Sequence, residues 1–210
     1  MKDKKLVIAV TVLIILHVVG FFGIAFSPYR NWFLDLTAFN LAITAFLLFS
    51  FHKTWNLSFT LFAAVAFAVG LVVELIGVHT NLLFGSYVYG NGLGPKLWDV
   101  PLVIALNWLM LVYITGVLVT PFKWHWLIKA FLAAGFMVLL DLLIEPVAAI
   151  LNFWTWHNYQ IPATNYWGWL GVGFLLQIYF QQADFQKANS MAKYVYATQF
   201  FFFLGFNLMF

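Results

Sequence analysis

Residues 6–26 read LVIAVTVLIILHVVGFFGIAF, an apolar run in which His17 is the only ionisable side chain. A helix rises about 1.5 Å per residue, so this run can cross the roughly 30 Å hydrocarbon core of a bilayer. A cleavable signal peptide has a shorter apolar core followed by a small-residue cleavage site. We therefore predict a transmembrane helix that remains in the protein as a signal anchor.

Further apolar runs follow this one, and Gly, Pro or polar residues separate them. They lie at 33–51, 57–78, 100–120, 126–150, 167–181 and 194–210. The runs are continuous, as helices buried in lipid require. We predict an all-α, polytopic transmembrane helix bundle with about seven spans, six to eight being possible. Residues 1–210 are expected to form a single integral-membrane domain.

The composition excludes several other classes of protein. Of 210 residues, 64% are apolar and 8% are charged, and the mean hydropathy is +0.93, too apolar for the surface of a soluble domain. The absence of cysteine excludes disulfides and thiolate chemistry. The net charge of +3 comes from basic residues scattered singly, so no nucleic-acid partner is expected.

The basic residues are distributed unequally between the two sides of a seven-span bundle. Only Arg30 and Lys96 fall on the side opposite the N-terminus. The N-terminal side carries Lys2, Lys4, Lys5, Lys53, Lys123, Lys129, Lys187 and Lys193. Cytoplasmic loops are enriched in Lys and Arg. We predict a multi-pass protein of the cell membrane with a cytoplasmic N-terminus and extracytoplasmic polar loops at 79–99 and 151–166.

Three acids, Glu74, Asp141 and Glu145, lie inside predicted spans and at a similar depth near the outer face. None has a Lys or Arg partner nearby in its own span, and an unpaired carboxylate in a membrane tends to take up a proton. Asp141 and Glu145 are four residues apart, so they share one helix face. Asp35 and Asp99 lie closer to the interface. Interhelical hydrogen bonding is the alternative explanation for the three acids.

The histidines form no pattern typical of a metal site. Neither HxxxH nor HxxE occurs, so we expect no metal. His79 and His157 lie on the acidic side. His52 and His125 fall in predicted cytoplasmic loops, where we expect them to be solvated.

Four blocks of sequence, in order, resemble the carotenoid 1,2-hydratase family, the membrane hydratases of the bacterioruberin and γ-carotene type. The blocks are residues 74–89 (ELIGVHTNLLFGSYVY), 101–108 (PLVIALNW), 141–147 (DLLIEPV), and 154–169, which contains WTW, IP and NYWGW. Asn81 stands where Gly is more usual. Together the blocks cover about half of the chain.

This resemblance implies addition of water to the terminal double bond of an acyclic carotenoid end, which gives a tertiary alcohol without a redox cofactor. The implied substrate is a carotenoid of the lycopene or γ-carotene type, entering from the lipid bilayer. A carboxylic acid protonates the alkene, and aromatic faces stabilise the resulting carbocation. We assign proton donation to Asp141 or Glu145 and water handling to Glu74. The substrate-binding candidates are His79, Tyr87, Tyr89, Asn107, Trp108, Trp154, Trp156, Asn165 and Trp169.

Two other functions fit the same residues. A cofactor-free membrane lycopene cyclase also protonates an isoprenoid end, but an internal double bond then captures the cation. A carotenoid- or lipid-binding protein, or a transporter, would use the acids to relay protons or bind a cation. Trp154, Trp156 and Trp169 also suit an interfacial aromatic belt. The choice of carotenoid and the oligomeric state are left open.

Overall fold

Residues 2–210 are described by a computed structural model that consists mainly of α-helices. The helices are α1 Lys2–Phe26, α2 Arg30–Asp35, α3 Thr37–Ser50, α4 Leu57–Thr80, α5 Leu102–Val119, α6 Trp126–Ala148, α7 Ala163–Gln182 and α8 Ala192–Met209. The second apolar run is thus divided into α2 and α3 at Leu36. The predicted all-α helix bundle is confirmed.

Within the described residues, five helical stretches are long and apolar enough to cross a membrane. They are Lys4–Phe26, Arg30–Ser50, Leu57–Thr80, Leu102–Val119 and Trp126–Ala148. Large apolar side chains such as Val7, Phe46 and Leu61 remain exposed on their outer faces, as contact with lipid requires. The further helices α7 and α8 pack against α6. A seven-span topology remains our prediction.

The helix α5 lies at the centre of the bundle. Of the residues in its most apolar segment, 72% are buried, whereas in the other four membrane-spanning stretches the share is 22–39%. It contacts α3, α4, α6, α7 and α8. Side chains all round α5, including Trp108 and Tyr113, are therefore fully buried.

The helices α4 and α5 approach closely at Gly70. A Cβ atom on Gly70 would lie 2.4 Å from the Cβ of Trp108, so only glycine permits this separation. Glu74 lies one helical turn beyond Gly70 and shares its face. This close contact brings the Glu74 carboxylate to the indole of Trp108.

The two polar loops that the sequence places on one side are joined by a short sheet. Strand β1 (Tyr87–Tyr89) pairs antiparallel with β4 (Trp154–Trp156), with Tyr87 opposite Trp156 and Tyr89 opposite Trp154. A second pair is formed by β2 (Lys96–Leu97) and β3 (Val100–Pro101). Sequence analysis did not predict these strands, because two- and three-residue segments carry too little periodicity.

Two features of the loops explain individual residues. Helix α4 ends at Thr80 and is followed by Asn81, whose φ of 59° is the left-handed conformation that Gly and Asn tolerate best. This accounts for Asn at a position where Gly is more usual. The expectation for His52 is wrong: only 5% of the residue is exposed, its Nε2 donates to the Thr54 carbonyl, and its Nδ1 accepts from the Tyr113 hydroxyl.

Candidate functional site

Glu74 is buried near the C-terminal end of α4, where three neutral groups donate hydrogen bonds to it. The hydroxyls of Tyr87 and Tyr89 each lie 2.6 Å from Oε2, and Trp108 Nε1 lies 2.8 Å from Oε1. Alternate residues of a strand point to the same face, so β1 presents both tyrosines to this carboxyl. Glu74 therefore links α4 and α5 to the sheet, and its carboxyl oxygens are the acceptors in all three hydrogen bonds.

The two tyrosines remain protonated donors. Burial, with the nearby Glu74 carboxylate as the second cause, raises the pKa of Tyr87 and of Tyr89 above the ordinary value of a phenol. An ionised phenolate beside Glu74 would place two negative charges in a buried site. Both hydroxyls thus continue to donate to Glu74 at every physiological pH.

Glu145 receives a second set of donors from strand β4 and helix α7. Its Oε2 accepts hydrogen bonds from Trp156 Nε1 at 2.5 Å and from Trp154 Nε1 at 3.1 Å. Its Oε1 accepts from Asn165 Nδ2 at 2.8 Å. Both indoles of the WTW segment therefore bind the same Glu145 oxygen, because they lie on one face of the strand.

Asp141 lies one helical turn before Glu145 and is joined to it through Asn165. The Asn165 Nδ2 group lies 2.8 Å from Asp141 Oδ2 as well, so its two N–H bonds serve both carboxyls. Asp141 is 1% exposed, and its Oδ1 has no hydrogen-bond partner among the described residues. Both oxygens of Glu145 therefore accept hydrogen bonds, whereas only one oxygen of Asp141 does.

An aromatic wall stands beside the carboxyls. The indoles of Trp108 and Trp169 stack with their ring centroids 4.2 Å apart and their planes 10° from parallel. Phe84 packs against Trp108 at a centroid distance of 6.4 Å. Phe84 and Trp169 surround the same small cavity as Glu74, and an aromatic face there can stabilise a developing cation.

These groups surround a small chamber of about 30 Å³. A cavity of about 10–15 Å³ by this measure holds a water molecule, so the chamber has room for one or two. Carboxyl, phenol, amide and indole groups supply the polar partners that a bound water needs. The lining residues are Glu74, Phe84, Tyr87, Tyr89, Ile104, Asn107, Ile144, Glu145, Trp154, Trp156, Asn165 and Trp169.

A much larger cavity of about 440 Å³ adjoins the chamber. Its walls come from helices α1, α2, α3, α5, α6 and α8 and are predominantly apolar. The two cavities share four lining residues, Ile104, Asn107, Ile144 and Trp154. An apolar chain lying in the large cavity can therefore end against the polar chamber.

The structure brings together nearly all the residues singled out from the sequence. Trp108 and Asp141 do not line the chamber but hold lining residues through Glu74 and Asn165. His79 lies apart from it: its side chain is exposed and its Nε2 donates to the Trp98 carbonyl at 3.1 Å. Sequence reasoning missed Phe84, Ile104 and Ile144, because nothing distinguishes them from other apolar residues.

The chain is similar to known proteins of carotenoid biosynthesis. The family model described as "Carotenoid biosynthesis protein" matches residues 31–210. Bisanhydrobacterioruberin hydratase from Haloarcula japonica is 31% identical over 109 residues, which cover 48% of this chain. The aligned segment spans 37% of that relative's length. No solved structure matches.

Proposed function

Because the chain belongs to the carotenoid biosynthesis protein family, we propose that it is a membrane hydratase acting on carotenoids. It adds water to the terminal C=C bond of an acyclic carotenoid end and yields a tertiary alcohol. The similarity to a bisanhydrobacterioruberin hydratase supports this reaction class. The substrate is of the lycopene or γ-carotene type, and the reaction needs no redox cofactor, since hydration changes no overall oxidation state.

The observation that carries the proposal is the pair of adjoining cavities. Hydration of an alkene needs an apolar site for the hydrocarbon and a polar site for one water molecule, in contact with an acid. The chamber of about 30 Å³ and the apolar cavity of about 440 Å³ meet at Asn107, Ile144 and Trp154. Glu145 lines the chamber beside that junction.

Glu145 is the proton donor in this proposal. Three carboxyls buried among neutral partners would be costly to ionise together, so the set holds at least one proton. Glu145 reaches the chamber, whereas Asp141 does not line it. Glu145 transfers its proton to the less substituted alkene carbon, while Asp141 shares the Asn165 amide and acts as a positioning residue.

Protonation leaves a tertiary carbocation at the junction of the cavities. Trp154 lines both cavities, and Trp169 lines the chamber with its ring stacked on Trp108. A cation over an aromatic face gains about 0.5–2 kcal/mol per ring. These rings carry no nucleophile that would trap the cation, so they stabilise it until water attacks.

Water capture completes the addition. A water held by Asn107 and Glu74 attacks the tertiary carbon through its oxygen and loses a proton to the Glu74 carboxylate. That proton returns to Glu145 through a chamber water, so each turnover consumes one alkene and one water.

We also propose that residues 1–210 act as one membrane domain with a cytoplasmic N-terminus, since the excess of Lys lies on that side. The chamber would then lie near the outer face of the cell membrane. Reporter fusions at the N-terminus and in the loop at 85–95 would give opposite compartments, and the same compartment for both would refute the topology.

Product mass tests the reaction. The chain is expressed in one host that makes lycopene and in another that makes a monocyclic carotene. A gain of one water per modified end supports hydration. A new ring without a mass change would indicate a cyclase, and copurified, chemically unchanged pigment would indicate a binding protein.

Single variants test the assignment of the acids. We expect Glu145→Gln and Glu74→Gln to lose hydration by at least about 100-fold, because a proton donor or base contributes about 10²–10⁴-fold. Asp184→Asn is the matched control, since Asp184 is an exposed acid outside the site. Full activity of Glu145→Gln and Glu74→Gln would refute the acid mechanism.

A further inference from the structure

The large apolar cavity is closed on one side of the bundle and open on another. Its inner wall is buried: Ile104 on α5 is 6% exposed and Leu140 on α6 is 1% exposed. Among the described residues that line the cavity, the exposed ones are Val19, Trp32, Leu36 and Phe39. The first lies on α1, and the other three lie on α2, on α3 or at their junction. The cavity therefore opens sideways between α1 and the segment formed by α2 and α3.

This opening is confined to one part of the two helix faces. Residues seven positions apart lie on nearly the same face of a helix, about two turns from each other. Val12 precedes Val19 by this spacing on α1, and Phe46 follows Phe39 by the same spacing on α3. Val12 and Phe46 are exposed as well, yet neither lines the cavity. The same faces thus border the cavity at one depth and only the surroundings of the bundle at another.

The short helix α2 places the opening at the same end of the bundle as the polar chamber. Arg30, the first residue of α2, donates from Nη2 to the Ile150 carbonyl at 2.6 Å. Ile150 belongs to the loop that leads into strand β4, whose Trp154 lines both cavities. The other contact of α2 is with α1, where a Cβ atom on Gly23 would overlap the Phe33 ring. These contacts fix the position of α2 beside the entrance to the site.

The volume of the cavity indicates that only part of a carotenoid lies inside the protein. About 440 Å³ falls in the lower part of the range of about 300–1,000 Å³ for pockets that enclose a drug-sized ligand. A polyene of the lycopene type is much longer than such a ligand, so the part beyond the bound end must lie elsewhere. An opening with an apolar rim lets that part remain among lipid tails, where it avoids contact with water.

We propose that the lateral opening, bounded by Val19, Trp32, Leu36 and Phe39, admits the isoprenoid chain of the substrate from the bilayer. One acyclic end passes inward as far as the chamber, and the remainder of the polyene stays in the lipid. This inference rests on the proposed function, because it takes the large cavity as the place of the isoprenoid chain. It assigns substrate selection to the end that enters, since the far end does not reach the protein interior.

Single thiols at the rim test the route. The chain contains no cysteine, so Val19→Cys and Phe39→Cys each introduce one reactive thiol. Each purified variant is labelled with a bulky aromatic maleimide, and the intact mass confirms one label per chain. The protein is then mixed with lycopene in detergent, and the pigment retained after size exclusion is measured over time. The label should slow loading by about tenfold or more, since association rates among variants of one site span about 1–3 orders of magnitude.

Val12→Cys and Phe46→Cys are the matched controls. They carry the same label on the same helix faces, about two turns from the opening, and should load pigment at the rate of their unlabelled forms. Lycopene bound before the label is added should protect the thiols at positions 19 and 39 and leave those at 12 and 46 reactive. Unchanged loading by labelled Phe39→Cys, or an equal delay in labelled Phe46→Cys, would overturn the route.

A variant behind the rim tests the occupant without any label. Gly20 lines the cavity, and the nearest atom to an added Cβ there is Phe202 Cε2 at 4.0 Å. Gly20→Leu therefore fills cavity space and should weaken lycopene binding by at least about fivefold. Gly171→Leu is the control, because this exposed helical glycine lies outside the cavity and has no atom within 4 Å of an added Cβ. Equal affinities of the two variants would also overturn the proposal.

Entry and reaction are measured separately in this design. Pigment loading needs no turnover, and the mass of the recovered pigment shows whether water has been added. Loading that the rim label blocks, without any hydrated product from the unmodified protein, would refute the proposed reaction alone. Hydration at an unchanged rate by labelled Phe39→Cys would refute the lateral opening alone.

Discussion

Asn165 donates a hydrogen bond of 2.8 Å from its amide nitrogen to Glu145 Oε1, across the interface between α6 and α7. The other N–H of the same amide goes to Asp141 Oδ2, also at 2.8 Å. One side chain therefore sets the geometry of two carboxyls that lie on the same face of α6.

Asn165→Ala should lower hydration by about 100-fold or more, in the range seen when a single donor is removed from an active site. Without the amide, the two carboxyls lose their common partner and the proton-donating geometry of Glu145. Product formation per folded protein is the measurement. Asn207→Ala removes another interhelical amide bond, to the Leu143 carbonyl, and should keep most activity. Activity of Asn165→Ala within twofold of the unmodified protein would contradict this role.

Trp108→Phe should weaken both catalysis and stability. The phenyl ring preserves stacking on Trp169, but the Nε1 donor to Glu74 at 2.8 Å is lost. A buried carboxyl that loses a donor costs about 1–3 kcal/mol. Thermal unfolding in detergent and hydration assays measure the two effects. Trp124→Phe, an exposed indole stacked on Phe122, is the control, and equal behaviour of the two variants would count against the contact.

Gly70→Ala should destabilise the bundle by about 1–3 kcal/mol, the usual cost of overpacking a core. The added methyl group would lie 2.4 Å from Trp108 Cβ, so α4 and α5 must separate. Because Glu74 lies one turn further along α4, activity should also fall. Gly135→Ala is a matched helical control, since no atom lies within 4 Å of its added Cβ. A lower melting temperature is expected for Gly70→Ala only, and equal melting temperatures would disprove the close contact.

The stability of the protein should decline in mildly acidic solution through His52. Burial lowers the pKa of His52 from its ordinary value of 6.5. As the pH falls below 6.5, the unfolded chain takes up a proton at this residue before the folded protein does, so the free energy of unfolding decreases. Above pH 6.5 the ring is neutral in both states and no such loss occurs.

Melting temperatures of the unmodified protein and of His52→Gln between pH 5 and 8 measure this contribution. The variant should be less stable at neutral pH, because it loses the bond with the Tyr113 hydroxyl, and less sensitive to acid. His125→Gln, which replaces an exposed histidine, should retain the acid sensitivity. Parallel pH curves for the unmodified protein and His52→Gln would show that another group is responsible.

Much of the bundle could be predicted because the tendency of a segment to form a membrane helix depends on the residues of that segment. Uninterrupted apolar runs locate helices α1 and α4–α6 without knowledge of their neighbours. The acids Glu74, Asp141 and Glu145 could be identified for the same reason, since a carboxyl within an apolar span stands out in the chain. The exposed state expected for His52 was wrong because a loop position does not reveal which helix packs over it.

The sequence by itself determined the helical membrane fold, the presence of acids within apolar helices and the resemblance to carotenoid hydratases. Only the tertiary structure decided that Tyr87 and Tyr89 bind Glu74, that Trp154 and Trp156 bind Glu145, and that a polar chamber adjoins an apolar cavity. The physical reason is the distance along the sequence over which each property is decided. The free energy of transferring an apolar segment into lipid depends on the residues of that segment alone. Hydrogen bonds and cavities depend on side chains far apart in sequence, whose distances are set only when the helices pack.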